Sequence, residues 1–386
     1  MQIYLDYSAT TPPRPEVIKI MQEVLTQNWG NPSSLHEWGQ RTATIVEQAR
    51  MQVAGLIKAS PESIIFTSGG TEADNLAILG VAQASIIPQH IIISSVEHSA
   101  VAEPVRLLEQ RGWKVTRLPV DAQGRVNPSD LEDALLPNTV LVSVIYGQSE
   151  VGTLQPIAKL SEIARSQGVL FHTDAVQVAG RLPIDLRELR VDLLSMSSHK
   201  IYGPQGVGAL YVRKGVELVP LLSGGGQEAR LRSGTQAVPM IAGFGMAAEL
   251  AAMEIVKETP RLIKLRDRLF QKLADSIYLK PTGSLIHRLP HHASFRVIGG
   301  GKVTGKTLVR QLNLAGIGIS AGSACHSGKL SPSPILLAMG YSDSEALGGI
   351  RLTLGKDTKE ADVDWTAMVL KQVLERLIPK LVTVGD

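Results

Sequence analysis

Seven short runs of branched apolar residues recur through the first two thirds of the chain, and this rhythm restricts the fold more than anything else in it. They are SIIFT (63–67), HIIIS (90–94), KVTRL (114–118), TVLVSV (139–144), GVLFH (168–172), VDLLS (191–195) and VGALYV (207–212). Helix-length segments separate several of them, at 73–84, 99–111, 128–136 and 156–167. Strands buried on both faces read as near-continuous apolar runs, and parallel neighbours need a helix to cross between them. The pattern predicts an α/β fold with a seven-stranded, mainly parallel sheet covered on both sides.

Two helices, 16–28 and 40–58, precede this sheet. An alanine-rich segment (237–254) and a charged one (258–275) follow it as two further helices. With 386 residues the chain exceeds what one core normally carries. We expect a large α/β domain over 15–250 and a smaller α+β domain made of 1–14 plus 251–386. The smaller unit is predicted to hold strands at 293–298, 317–320 and 349–354, and helices at 305–315, 332–338 and 360–378.

Charge excludes some partners. Thirty-nine basic residues against 36 acidic ones leave +3, without long basic runs, so no direct nucleic-acid binding is expected. The opening MQIYLDYSATTPPRP lacks the pattern of a secretory signal. The longest apolar stretches, such as 77–82 and 334–339, are too short to span a bilayer, so no membrane is expected. One cysteine rules out an internal disulfide and a zinc thiolate cluster, and a free thiol suits a reducing cytoplasm. The expectation is a cytoplasmic protein with no metal site.

Two segments resemble anion sites. In IIFTSGGTEADNLAIL (64–79) a buried strand ends, two glycines permit a tight turn, and a helix begins near Thr71. Free backbone N–H groups and the helix dipole favour an anion there, although a plain glycine turn reads the same way. GGKVTGKT (300–307) fits the G-x-x-x-x-G-K-[ST] phosphate-loop pattern in full. It sits late, with a short helix behind it, and no later apolar strand ends in an aspartate. A glycine-rich loop is the preferred reading.

Ligands in open α/β sheets collect beyond the carboxyl ends of the strands. Asp174 lies just past one predicted strand, and Ser197, Ser198, His199 and Lys200 lie past another. An acid and a lysine so placed can be a mere ion pair. They also match what pyridoxal phosphate requires: a lysine for its aldehyde, an acid for its ring nitrogen, an anion cup and a flat group over the ring. Lys200, Asp174, the 69–71 turn with Ser197 and His199, and the imidazole of His98 supply all four. Gln177, one turn beyond Asp174, is in reach of the ring oxygen.

Cys325 sits in ISAGSACHSGKLSPSPIL, among small, polar and glycine residues without apolar period. A lone cysteine is usually a buried small hydrophobe, but these flanks predict an exposed loop over about 320–332. An exposed thiol beside His326 is a candidate nucleophile. Arg351 lies on a later apolar strand, where a guanidinium needs an anion. A substrate carboxylate and an internal salt bridge both answer that need.

The chain resembles the group I cysteine desulfurases, the NifS/IscS-like branch of the class-V aminotransferase family. The resemblance is carried by YLDYSATTP (4–12), GNPSSLHEWG (30–39), FTSGGTEADNLAI (66–78), VEHSAV (96–101), HTDAVQ (172–177), SSHKIYGPQGVGALYVR (197–213), GGGQEARLRSGT (224–235), SAGSACHSG (320–328) and IRLTLG (350–355). It implies a fold-type I pyridoxal-phosphate enzyme. Lys200 is then the lysine that bonds the cofactor, Asp174 the partner of the pyridine nitrogen, His98 the residue stacked on the ring, and Gln177 the partner of the ring oxygen. Gly70, Thr71, Ser197 and His199 would line the phosphate, with Thr235 reaching it from the second subunit of a homodimer. Arg351 would bind the carboxylate of L-cysteine. Lys200 or His98 would move the α-proton, and Cys325 would take the sulfur as a persulfide, releasing alanine. An iron–sulfur scaffold protein or another sulfur carrier would accept it.

The chain departs from the family in places. The family usually has Asn-Asn-Glu where this chain has Gln148, Ser149 and Glu150, so either Ser149 acts through a water or Gln148 reaches into the site. Gln227 stands where a histidine is common, and the chain ends at KLVTVGD without the longer tail of some members. The rival functions are a selenocysteine lyase or a cysteine/cystine lyase on the same fold, and more remotely a phosphate-loop nucleotide-binding protein.

Overall fold

The computed structural model describes residues 2–298, 303–322 and 331–378. Strand β1 (Ile3–Tyr4) and helices α1 (Pro15–Gln27) and α2 (Glu37–Leu56) open the chain. Then come β2 (Ile64–Thr67), α3 (Gly70–Gln83), β3 (His90–Ser94), α4 (Ser99–Gln110), β4 (Lys114–Leu118), α5 (Pro128–Ala134) and β5 (Thr139–Ser143). They are followed by α6 (Ile157–Ser166), β6 (Leu170–Asp174), α7 (Leu186–Leu189), β7 (Leu193–Ser197) and β8 (Gly208–Val212). Strands β2 to β8 form one seven-stranded sheet in the order β2-β8-β7-β6-β5-β3-β4. All its pairings are parallel except those of β8, which runs against both β2 and β7.

Every residue of β2, β3, β7 and β8 is buried. Helices cover the sheet through apolar faces: α4 buries Val101, Val105 and Leu108 at helical spacing. Strands β6 and β7 each extend two residues further than their apolar runs predict, so Asp174 and Ser197 are the last residues of their strands. The polar ends are tolerated because ladder pairing, such as Asp174 opposite Ser195, continues past the apolar core.

The two helices expected at 237–254 and 258–275 are one 36-residue helix, α8 (Val238–Leu273), with Pro260 inside it. A mid-helix proline removes one backbone donor, but apolar burial on both sides of it, from Phe244 to Ile255 and from Leu262 to Leu269, holds the helix continuous. α8 packs on α1 and α2 at one end. Among the described residues it is long and apolar enough to cross a membrane, but half of its most apolar window is buried within the protein.

Beyond α8 lie β9 (Leu279–Pro281), β10 (His292–Val297), α9 (Gly305–Leu314), β11 (Ile317–Gly318), β12 (Ser320–Ala321), α10 (Pro334–Ala338), α11 (Asp343–Ala346), β13 (Gly349–Thr353) and α12 (Glu360–Leu377). The single strand expected at 317–320 is split: β11 pairs with β1, whereas β12 joins the antiparallel sheet β12-β13-β10-β9. This sheet, α9, α12 and the far half of α8 share a second apolar core that includes Leu265, Phe295, Leu308, Leu352 and Leu370. The N-terminal segment belongs with it. Thr353 N–H donates to Leu5 O at 2.7 Å, and Ser8 N–H donates to Thr353 Oγ1 at 2.9 Å.

Candidate active site

Because β2 is parallel to β7, the carboxyl ends of β2, β3, β5, β6 and β7 all open on the same edge of the sheet. A cavity of about 270 Å³ lies there. Each strand end delivers one part of its wall: Gly70 and Thr71 after β2, His98 after β3, Ser149 after β5, Asp174 and Gln177 from β6, and Ser197, His199 and Lys200 from β7. From the other core come Ser8 and Ala9 of the N-terminal segment and Arg351 of β13. Of the residues singled out in the sequence, Thr235 is exposed and lies away from this cavity, and Cys325 lies outside the described residues.

Gly70 is the first residue of α3, and a side chain there would bring Cβ within 2.8 Å of Val176 Cγ2. Glycine therefore lets the amino end of α3 close against the Asp174 turn. Glu72 ties this corner down by accepting from Ser68 N–H at 2.7 Å and Arg232 Nε at 2.9 Å. His98 caps α4, its Nδ1 accepting from Ala100 N–H at 3.2 Å, which fixes the ring at the cavity mouth. His199 Nδ1 is 3.1 Å from Thr10 Oγ1. Burial, reinforced by Lys200, lowers its pKa to about 4, so the imidazole is neutral.

Lys200 Nζ donates to Ser8 O and Ala9 O, each at 2.7 Å. Burial above all, then the charges of Arg351 and Arg181, pull the amine down to about 8, against the opposing pull of Asp174 and Asp6. A fraction of it is therefore neutral near pH 7, as a nucleophile or base must be. Asp174 accepts from Val176 N–H at 2.9 Å. Burial raises its pKa, while the charges of His98 and Lys200 draw it back down. Behind it Asp74 is fully buried, and burial together with the Asp174 charge pushes it well above the carboxylate range. A cation beside Asp174 would offset the burial that raises both carboxyl groups.

Gln177 Nε2 donates to Ser8 O at 3.0 Å, and its Oε1 is buried with no partner among the described residues. It lies in the turns 176–180, closed by Val178 and Ala179 N–H donating to Ala175 O. Gln148 does not reach into the site. Its Oε1 accepts from Glu150 and Val151 N–H and its Nε2 donates to Val96 O at 3.3 Å, so the amide is consumed by the backbone. Ser149 alone of the pair faces the cavity, and its carbonyl receives Arg351 Nη1 at 2.9 Å and His292 Nε2 at 3.0 Å. Arg351 also forms the internal salt bridge, with Asp6 at 2.8 Å.

Residues 300–302 of the phosphate-loop pattern lie outside the described residues, and 303–307 lead into the start of α9. Thr304 caps α9, with Thr307 N–H donating to its Oγ1 at 3.3 Å, and Gly305 N–H donates to Leu347 O at 2.9 Å. Two of the donors a phosphate needs are spent within the protein.

Sequence reasoning missed Ser8, Ala9, Asp6, Asp74 and Arg181. For the first three a signal existed, because YLDYSATTP places polar residues directly after an apolar start. Asp74 and Arg181 sit in helical and turn contexts indistinguishable from surface positions.

The chemistry this arrangement allows is amine condensation at Lys200, stabilisation of a cationic ring by Asp174, and capture of a carboxylate by Arg351. Comparisons with known proteins show the family. The model of the family described as Aminotransferase class-V matches residues 3–365. The chain is 47% identical over 380 residues to a protein of Dictyoglomus turgidum named Cysteine desulfurase IscS, spanning 97% of this chain and 95% of that one. Among solved structures, a NifS-like protein superposes with a TM-score of 0.90 at 36% identity, covering 97% of this chain and all (100%) of the other. A structure described as SspA in complex with cysteine superposes with a TM-score of 0.80 at 34% identity, covering 92% and 99%.

Proposed function

This chain belongs to the class-V aminotransferases and, within them, to the cysteine desulfurases, and on that premise we propose that it converts L-cysteine to L-alanine, leaving the sulfur as a persulfide on Cys325. The observation that carries this reading is the meeting of Lys200 and Asp174 with the amino end of α3 and with Arg351 around one cavity. The residues present fit pyridoxal 5'-phosphate. The unpartnered Gln177 Oε1 on the wall calls for a donor, and the low proton affinity of Lys200 suits attack on an aldehyde. When bound, the cofactor supplies that aldehyde and a ring that accepts the electron pair left at the substrate α-carbon.

The chain's own residues do the rest. Asp174 would hold the ring nitrogen, Gly70, Thr71, Ser197 and His199 would hold the phosphate, and His98 and Gln177 would hold the ring. Ser149 lies on the same wall. Arg351 orients the substrate carboxylate, and Lys200 or His98 carries the α-proton. The Cys325 thiolate then forms a bond to the substrate sulfur as the Cβ–S bond breaks. The protein works as a cytoplasmic homodimer in which Thr235, exposed in its own chain, completes the phosphate site of the other subunit. A sulfur carrier such as an iron–sulfur scaffold protein removes the persulfide.

The test is a visible spectrum of the purified protein before and after L-cysteine, with alanine and persulfide measured. Lys200→Ala is expected to lose the bound-cofactor absorbance. Cys325→Ser is expected to keep it and lose persulfide formation. Full turnover by Cys325→Ser would overturn the assignment in favour of a lyase that does not use its own thiol.

A further inference from the structure

Arg181 lies in the connection between β6 and α7, and it is 5% exposed. Its Nη2 donates to two main-chain carbonyls, Lys200 O at 3.0 Å and Tyr7 O at 3.1 Å. Its own carbonyl accepts from Thr259 Oγ1 of α8 at 2.7 Å, and the Tyr202 side chain bonds to the guanidinium. Nε is buried without a partner, and among the described residues no carboxylate forms an ion pair with it. Glu258, whose charge it senses, is held instead by Arg261 at 2.9 Å.

Buried guanidinium groups are normally paired, because an uncompensated charge in the interior is expensive. An unpaired one against the backbone of the reactive lysine needs a purpose. The segment Tyr7–Ala9 is gripped from two sides: Arg181 holds Tyr7 O, while Lys200 Nζ holds Ser8 O and Ala9 O. Both grips meet at residue 200, one on its carbonyl and one through its amine.

We propose that Arg181 is a positioning residue for the reaction, fixing the Lys200 backbone against Tyr7 and keeping an unpaired positive charge behind the Lys200 amine. The inference rests on Lys200 being the cofactor lysine. The charge acts in one direction. Arg181 and Arg351 disfavour the ammonium form of Lys200, whereas Asp174 and Asp6 favour it, and His199 beside it is neutral. Removing Arg181 leaves the two acids opposed by burial and Arg351, and the amine holds its proton to higher pH.

The experiment follows pyridoxal 5'-phosphate attachment to the full chain, stripped of cofactor, by visible absorbance across pH 6.5–10.5. Arg181→Met and Arg181→Gln remove the charge, Arg181→Lys keeps it, and thermal melting checks each fold. The wild-type attachment rate is expected to rise with a midpoint near 8. In Arg181→Met or Arg181→Gln the midpoint moves up by about one pH unit, and attachment at pH 7.5 slows roughly tenfold, with the wild-type midpoint restored in Arg181→Lys. A folded uncharged variant with the wild-type midpoint overturns the proposal. Should neither uncharged variant fold, a wild-type midpoint at the ordinary lysine value of about 10.4 overturns it. A wild-type chain that attaches no cofactor overturns the site reading itself, a distinct result from an unmoved midpoint.

Discussion

Arg351 Nη2 rests 2.8 Å from Asp6 Oδ1, so the guanidinium assigned to the substrate carboxylate is already aimed by an acid 345 residues away in sequence. Its second end is fixed on Ser149 O, and the residue borders the cavity. A charged hydrogen bond of this kind contributes about 1.5–3 kcal/mol. Arg351→Lys, which loses the planar fork, is expected to raise KM for L-cysteine about 10- to 100-fold while leaving the bound-cofactor spectrum unchanged. Steady-state kinetics decide it, and an unchanged KM removes Arg351 from substrate binding.

Glu228 is the strongest stability prediction. Its carboxylate takes both ends of the buried Arg50 guanidinium, at 2.7 and 3.0 Å, and also accepts from Phe66 N–H at 2.8 Å. Three successive non-glycine residues, Glu228, Ala229 and Arg230, adopt positive φ to place it there. Glu228→Gln leaves the buried Arg50 with only the exposed Glu47 carboxylate, at 3.1 Å, as its ion-pair partner, and is expected to cost about 3 kcal/mol in urea unfolding.

Glu97 gives a pH signature. Burial pushes its pKa up to about 8, against the hydrogen bonds from Ser94 and Ile145. Between the ordinary glutamate value of about 4.3 and 8, the folded state keeps a proton that the unfolded state has released. This group therefore makes the protein less stable as pH rises through that window, by on the order of 1 kcal/mol per pH unit. Glu97→Gln keeps the acceptor and removes the titration, so the slope is expected to flatten and stability at pH 8 to increase. Unfolding free energies at pH 5, 6.5 and 8 test it, and an unaltered slope refutes it.

Gly305 distinguishes a structural helix start from a nucleotide loop. A side chain there would put Cβ 2.1 Å from Gly349 O, a backbone atom with little freedom to move. Gly305→Ala is expected to destabilise the protein by about 1–3 kcal/mol. ATP or GTP is expected to leave the wild-type melting temperature unmoved, since any nucleotide bound by the folded state alone would raise it.

Much of the cavity was legible because its parts sit where strands end. The apolar runs before Gly70, Asp174 and Ser197 announce those ends within two residues, and chemistry-bearing side chains follow each one. The errors have local causes. Pro260 reads as a break in a 36-residue helix because proline is judged against its neighbours in sequence, whereas apolar packing along α8 holds the helix together. The strand at 317–320 reads as one unit because its composition does not change where the chain passes from pairing with β1 to pairing with β13.

The sequence by itself determined the α/β sheet, the edge at which ligands collect, and Lys200 with Asp174 as neighbours there. Apolar period and strand-end composition are local properties, written within a few residues. Only the tertiary structure decided that Asp6 aims Arg351, that Gln148 is spent on the backbone while Ser149 faces the cavity, and that Arg181 stands unpaired behind Lys200. These depend on which polar atoms come within about 3 Å once distant segments close on each other, because a hydrogen bond is set by distance and angle in space rather than by order along the chain.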